Sequence, residues 1–303
     1  MSHKRKNFKS KILLFGEYSL MIGSKALAAP YSLFSGNLKF HRKEAAPNII
    51  DNELRSFCNY LKVLTNIEEF LHIDAFEFDI SQGLLFESTI PQGYGLGSSG
   101  ALTASVFNRY LKSSLKAQDI SSLRDLFSRM ESHFHGSSSG IDPLISYYEK
   151  PLLMHDKTHF DYVDLPNYLE GRGGLFLLNT GRARRTEPLV NLFIEKYNSN
   201  KFKQECEDYL IPLTNQCINL FLEKNTNDLI LKFKQLSKFQ YINFMPMIPT
   251  LFRDTWESGL EHNHYSLKLC GAGGGGFIIG ITDDLHKAKN YLSNYEIRPV
   301  YLF

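Results

Sequence analysis

The stretch IPQGYGLGSSGALTASVF, residues 90–107, narrows the folds open to this chain more than any other. It sets Gly93, Gly95, Gly97 and Gly100, with Ser98 and Ser99, between an apolar segment and a run in which Ala104, Phe107, Leu111 and Leu115 step by 3, 4 and 4. That stepping predicts a helix starting near Ser98. A helix start leaves backbone N–H groups unpaired and carries roughly half a positive charge. Glycine lets backbone approach a ligand that a side chain would hold off. Together these predict an anion cradle, a phosphate site above all, with hydroxyls placed to ligate Mg2+ beside the phosphates. The alternative is a tight turn in which a serine caps the helix. No lysine stands between the glycines and the serine pair, so this is not a Walker A loop. Nor does the segment follow the first strand, where a dinucleotide-binding oxidoreductase carries its glycine fingerprint.

The rest of the chain reads as mixed α/β in two halves. KILLFGEYSLMI and ALAAPYSLFSGNLKF read as strands punctuated by Gly and Pro. Leu54, Phe57, Leu61 and Leu64 predict a first helix over 52–64, and FEFDI, residues 76–80, alternates like a strand. Leu123, Phe127, Met130 and Phe134 form the stripe of a further helix. A second half starts near residue 170 with the strand GGLFLLNTG, after which Thr186 can cap a helix whose early turn tolerates Pro188. Amphipathic helices follow over about 201–222 and 226–239, and EIRPVYLF reads as an edge strand.

Two further segments carry chemistry. In MESHFHGSSSGIDPLIS, Glu131 lies at the margin of a buried helical stripe, where a carboxylate is costly without a cation or donors. Asp142 follows a Ser/Gly loop able to hold it in a cleft. Two carboxylates in different surroundings suit a division of labour, one on Mg2+ and one near a nucleophile. A surface Glu and a helix-capping Asp are the alternative. His133 and His135 are two residues apart and point to different helix faces, which argues against a zinc pair. The run GAGGGG, residues 271–276, holds five glycines in six residues between apolar flanks. It weakens any regular element and suits close approach by a ligand or another backbone.

Charge and cysteine usage exclude several classes. With 34 basic and 32 acidic residues the net charge is +2, which gives no footprint for nucleic acid or an acidic membrane surface. The HKRK run at residues 3–6 reads as a solvated tail. Cys58, Cys206, Cys217 and Cys270 make no CxxC pair, so free thiols in a reducing compartment are expected. The apolar run before Glu17 is short and lacks a small-residue cleavage pattern, unlike a signal peptide. No stretch approaches the roughly 20 apolar residues of a membrane span. The expectation is a cytoplasmic protein.

Taken together, SKILLFGEYSLMIG, IPQGYGLGSSGA, HGSSSGID and KLCGAGGGG resemble the motifs of the family that unites galactokinase, homoserine kinase, mevalonate kinase and phosphomevalonate kinase, the GHMP kinases. The motifs run from Lys11 to Gly276, so the resemblance covers nearly the whole chain. It implies an α+β, two-domain fold: an N-terminal ATP-binding domain over 1–169, similar to the second domain of ribosomal protein S5, and a ferredoxin-like C-terminal domain over 170–303. It also implies ATP and Mg2+ as cofactors, a homodimer, and ligands in a cleft between the domains. LLNTGRARRTEPLV is similar to a segment of the members that phosphorylate the primary hydroxyl of mevalonate, which makes mevalonate the implied acceptor. Phosphomevalonate or another small hydroxy acid is the alternative within the family, and a non-catalytic nucleotide sensor the alternative outside it.

Carried onto these residues, the resemblance makes Asp142 the catalytic base or orienting carboxylate and Lys11 the charge beside it. Ser99 and Glu131 would hold Mg2+. Gly93, Gly95, Leu96, Gly97, Ser98, Ser99 and Gly100 would wrap the ATP phosphates. Glu17, Tyr18 and Thr186 would lie on the substrate side, with Arg182, Arg184 and Arg185 as candidates for its carboxylate. Three positions depart from the family's motifs: Tyr18 stands where His is usual, Cys270 where Thr is common, and Ser138 where Pro is usual. The last implies a less rigid acidic loop.

Overall fold

The computed structural model describes residues 6–41, 51–112, 119–183 and 187–303. It is an α+β protein whose chain divides into two compact units. The first holds residues up to Lys11, Ala29–Pro91 and Leu96–Lys150; the second holds Ile12–Ala28, Gln92–Gly95 and Pro151–Phe303. Strands β1 (Phe8–Phe15) and β2 (Ala26–Phe40) therefore run through both, joined by a 3-10 turn over Ser19–Ile22.

In the first unit, the far end of β2 pairs antiparallel with β3 (Leu84–Ser88), Gly36 opposite Ser88 and Phe40 opposite Leu84. Its helices are α1 (Asn52–Val63), α2 (Ile67–Phe70), α3 (Ile73–Ser81), α4 (Ser98–Tyr110), α5 (Ile120–His135) and α6 (Ile141–Tyr148). Asp51 starts α1 by accepting from the Leu54 N–H, and Asp119 starts α5 by accepting from those of Ser121 and Ser122. Helix α4 is buried on every side from Gly100 to Phe107, which makes it the central helix of the unit, packed on α5 and α6. Phe57, Phe76, Phe107, Phe127 and Met130 fill the core around it.

One expectation fails here. FEFDI is not a strand but the middle of α3, whose buried residues Ile73, Phe76 and Ile80 step by 3 and 4, while Phe78 stands 62% exposed. Alternation argues a strand, but Phe76 and Ile80 are also i and i+4 on one helix face, and Ile73, three residues before Phe76, extends that face and leaves Phe78 opposite it.

In the second unit, the near end of β2 pairs antiparallel with β4 (Leu152–Met154), and β4 with β5 (Phe160–Tyr162). A four-stranded antiparallel sheet follows the order β7-β8-β6-β9, with β6 (Gly174–Asn179), β7 (Ser266–Leu269), β8 (Phe277–Thr282) and β9 (Ile297–Leu302). The terminal strand does lie at an edge. All residues of β7 and β8 are buried, so these strands are covered on both faces. The helices are α7 (Glu187–Tyr197), α8 (Asn200–Glu205), α9 (Ile211–Leu222), α10 (Thr226–Asn243), α11 (Arg253–His262) and α12 (Leu285–Tyr291). A π-helical turn over Cys206–Leu210 joins α8 to α9, so the predicted helix at 201–222 is one continuous rod with that turn inside it. α10 and α11 pack on β7. No helix among the described residues is long and apolar enough to cross a membrane.

Candidate active site

The cradle predicted at residues 93–100 ends in an N-terminus left open. Gly97 occupies the N-cap of α4 in the left-handed region, φ 73° and ψ 43°, and no side chain caps the helix. The serine-capped turn is therefore not what forms, and the first N–H groups of α4 remain directed out of the helix end. The loop is fixed from behind by the Lys11 N–H, which donates to the Leu96 carbonyl at 2.9 Å. Glycine at 97 is demanded twice over. Its φ disfavours a side chain, and a Cβ there would lie 2.9 Å from Lys11 Cγ and 3.3 Å from Asp142 Oδ2. At Gly100, a Cβ would stand 2.7 Å from the Asp142 backbone carbon, so only a bare helix start passes α6 this closely.

Lys11 and Asp142 meet beside that helix end. Nζ lies 3.0 Å from Oδ1, and both side chains are partly exposed, at 14% and 27%. Asp142 sits in the first turn of α6 but does not cap it; Gly140 takes the N-cap, which leaves the carboxylate to face Lys11. The second carboxylate is in different surroundings. Glu131, on α5, is 3% exposed and accepts one hydroxyl on each oxygen: Ser99 Oγ on Oε1 at 2.9 Å and Ser138 Oγ on Oε2 at 2.5 Å. His135 Nε2 also meets Ser99 Oγ at 2.9 Å. Burial, then the charge of Asp142, pushes the Glu131 carboxyl up to about 7, against the pull of the two hydroxyls and Lys11.

The acidic loop is tied rather than loose. Ser138 Oγ accepts from the Gly140 N–H at 3.0 Å, and Ser128 Oγ donates to the Ser138 carbonyl at 2.5 Å. Ser138, where the family resemblance implies proline, thus brings a hydroxyl that binds side chain and backbone together.

In the second unit, Glu17 and Tyr18 meet the glycine run. Glu17 is 4% exposed and paired with Lys268, whose ammonium also donates to the Leu269 carbonyl at 2.8 Å. Burial raises the Glu17 carboxyl, while Lys268 and the Gly271 N–H pull it back. Tyr18 holds φ at 60°, uncommon for a non-glycine residue, and its hydroxyl donates to the Ala272 carbonyl at 2.5 Å. Its ring stacks on Phe193 with centroids 4.8 Å apart. The run itself does admit another backbone: a Cβ at Gly276 would lie 2.7 Å from the Tyr94 carbonyl oxygen. The Gly276 N–H donates to the Arg182 carbonyl at 2.6 Å, and its own carbonyl accepts from the Thr180 N–H at 2.9 Å.

The structure thus gathers Lys11, Leu96, Gly97, Ser98, Ser99, Gly100, Glu131 and Asp142 within one unit, and sets Glu17 and Tyr18 against the 271–276 run in the other. Gly93 and Gly95 belong to the second unit by the same division. The Arg182 side chain is exposed. Thr186, Arg184 and Arg185 lie outside the described residues. Sequence reasoning missed Lys268, although a lysine in SLKL, between two leucines of a strand leading into the glycine run, was a signal. It also missed the contact of His135 with Ser99.

The sequence model of the family described as GHMP kinases N terminal domain matches residues 59–150. The mevalonate kinase of Pyrococcus horikoshii is 30% identical over 305 residues, covering 90% of this chain and 87% of that protein. Among solved structures, L. major mevalonate kinase in complex with R-mevalonate superposes with a TM-score of 0.62 at 15% identity, over 96% of this chain and 91% of that one. Streptococcus pneumoniae phosphomevalonate kinase in complex with phosphomevalonate and AMPPNP gives 0.67 at 16% identity, over 99% of both chains. A likeness this complete in sequence and in fold has one reading: the chain belongs to the GHMP kinases, a family of enzymes that use ATP.

Proposed function

We propose that this enzyme transfers a phosphoryl group from ATP to the primary hydroxyl of mevalonate, giving 5-phosphomevalonate and ADP. The observation that carries the reading is the Lys11–Asp142 pair, 3.0 Å apart, beside the uncapped start of α4. The acceptor is supported by the sequence relatives, which are named mevalonate kinase, and by the R-mevalonate held in the L. major structure.

Phosphoryl transfer asks a protein chiefly for positioning and charge compensation. The open N–H groups of the first α4 turn donate to phosphate oxygens, with the helix end adding favourable charge. Lys11 engages Asp142 Oδ1 and sets a positive charge beside the reacting oxygen. Asp142 Oδ2 accepts the proton of the substrate hydroxyl as that oxygen attacks phosphorus.

The residues also fit Mg2+. Ser99 and Glu131 offer hard oxygen donors joined by a hydrogen bond. A cation bound by two protein oxygens, with phosphate and water completing its shell, is the pattern of Mg2+. When bound, it supplies charge neutralisation on the phosphates. On the acceptor side the reading assigns Tyr18 and Thr186, with Glu17 acting through the loop it helps to hold.

The test is a coupled ADP-release assay with Mg2+ and ATP, comparing mevalonate, phosphomevalonate, homoserine and galactose at matched concentrations. Mevalonate is expected to lead the others in kcat/KM by about tenfold or more. Turnover only with another acceptor would overturn the substrate, and silence with all four would overturn catalysis.

A further inference from the structure

We propose that Ser138 is a positioning residue for Glu131, holding this carboxylate in the orientation in which it receives the cation. The proposal rests on the reading above that Ser99 and Glu131 take Mg2+. Its own observation is a set of bonds centred on one side chain. A serine hydroxyl has a single hydrogen to give. Here that hydrogen goes to Glu131 Oε2 at 2.5 Å. Ser138 Oγ itself accepts from the Gly140 N–H at 3.0 Å, at the N-cap of α6. The Ser138 carbonyl in turn accepts from Ser128 Oγ of α5 at 2.5 Å. Ser138 is therefore tied to α5 through backbone and side chain and to the start of the helix that carries Asp142.

Glu131 needs such a partner because it is 3% exposed, so water has little access to satisfy Oε2. Its other oxygen is served by Ser99, which the reading above assigns to the cation as well. Ser138 is then the donor left to fix the plane of the carboxylate. A hydrogen bond from outside the coordination sphere commonly decides how well a ligand is presented. A proline at 138 would bring neither the donor nor the acceptor.

The experiment measures Mn2+ binding in the presence of AMPPNP, by the electron paramagnetic resonance signal of free Mn2+, on the full chain and on Ser138→Ala, Ser138→Thr and Glu131→Gln. Ser138→Ala is expected to weaken Mn2+ binding by about 10-fold or more, with Ser138→Thr restoring most of it. AMPPNP binding without metal and the melting temperature should stay close to the parent, which a merely structural role would not allow. If Ser138→Ala binds Mn2+ within about twofold of the parent while Glu131→Gln loses it, the positioning role is wrong and the cation assignment stands. If Glu131→Gln also leaves Mn2+ binding unchanged, the cation assignment falls and takes the proposal with it. Should Ser138→Ala not fold, Ser138→Cys, a weak donor, replaces it: equal Mn2+ affinity in Ser138→Cys and Ser138→Thr would overturn the role.

Discussion

Lys268 donates its ammonium to the carboxylate of Glu17 inside the second unit, where the two side chains are 0% and 2% exposed although 251 residues separate them in the chain. Neither charge can be left alone there. Removing one partner of a buried pair typically costs 3–5 kcal/mol, because the survivor is buried without compensation. Lys268→Met should therefore lower stability by about 3–5 kcal/mol in urea titrations. Adding Glu17→Met should recover a large part of that loss. Strictly additive losses in the double variant would show that the two charges do not depend on each other.

Asp142→Asn keeps the shape of the side chain and removes its ability to take a proton. Turnover with the preferred acceptor should fall by about 10²–10⁴-fold. Affinity for ATP, read by calorimetry, should change little, since the proposed function draws the phosphate contacts from the α4 end. Near-parental turnover would remove Asp142 from the reaction.

Gly97→Ala places a methyl group 2.9 Å from Lys11 Cγ at a φ of +73°. The backbone conformation alone costs roughly 1–2 kcal/mol. Displacement of Lys11 should then lower nucleotide affinity and turnover together. A variant with parental melting temperature and parental affinity for AMPPNP would mean that the close approach is not needed.

Stability of the metal-free protein should fall as pH rises from about 4.5 to about 7, because of Glu131. In the unfolded chain this carboxyl loses its proton near its ordinary value of 4.5, whereas in the fold it does so near 7. Between the two, only the folded state holds the proton, so each step upward in pH favours unfolding. The stabilising effect is complete below the unfolded value and gone above the folded one. Glu17, also raised, acts in the same direction. Urea midpoints measured with a chelator across this range should show the decline, and Glu131→Gln should flatten it. A slope identical in the parent and in Glu131→Gln would refute the assignment.

Local pattern made several elements legible. Ser98 does open a helix, Leu54, Phe57 and Leu61 do form a buried stripe, and the glycine run does lie between two strands. Each of these depends on residues close together in sequence. FEFDI failed because its alternation was read without Ile73, which with Phe76 and Ile80 completes a buried helix face opposite the exposed Phe78. Ser138 was legible as a departure from proline, yet its hydroxyl bond to Glu131 was not. Nothing in the order of residues says which oxygen a hydroxyl will find.

The sequence by itself determined where the backbone had to be bare, where helices begin, and which carboxylates and lysines were available. Those properties follow from steric limits on φ and from short-range periodicity, which act within a few residues. Only the tertiary structure decided the partnerships: Lys11 with Asp142, Glu131 with Ser99 and Ser138, Glu17 with Lys268. Such pairs depend on how strands and helices far apart in the chain are brought together, and burial then sets their electrostatics. The same glutamate is an ordinary acid in an exposed helix and one shifted to about 7 when water is excluded and a second carboxylate stands near.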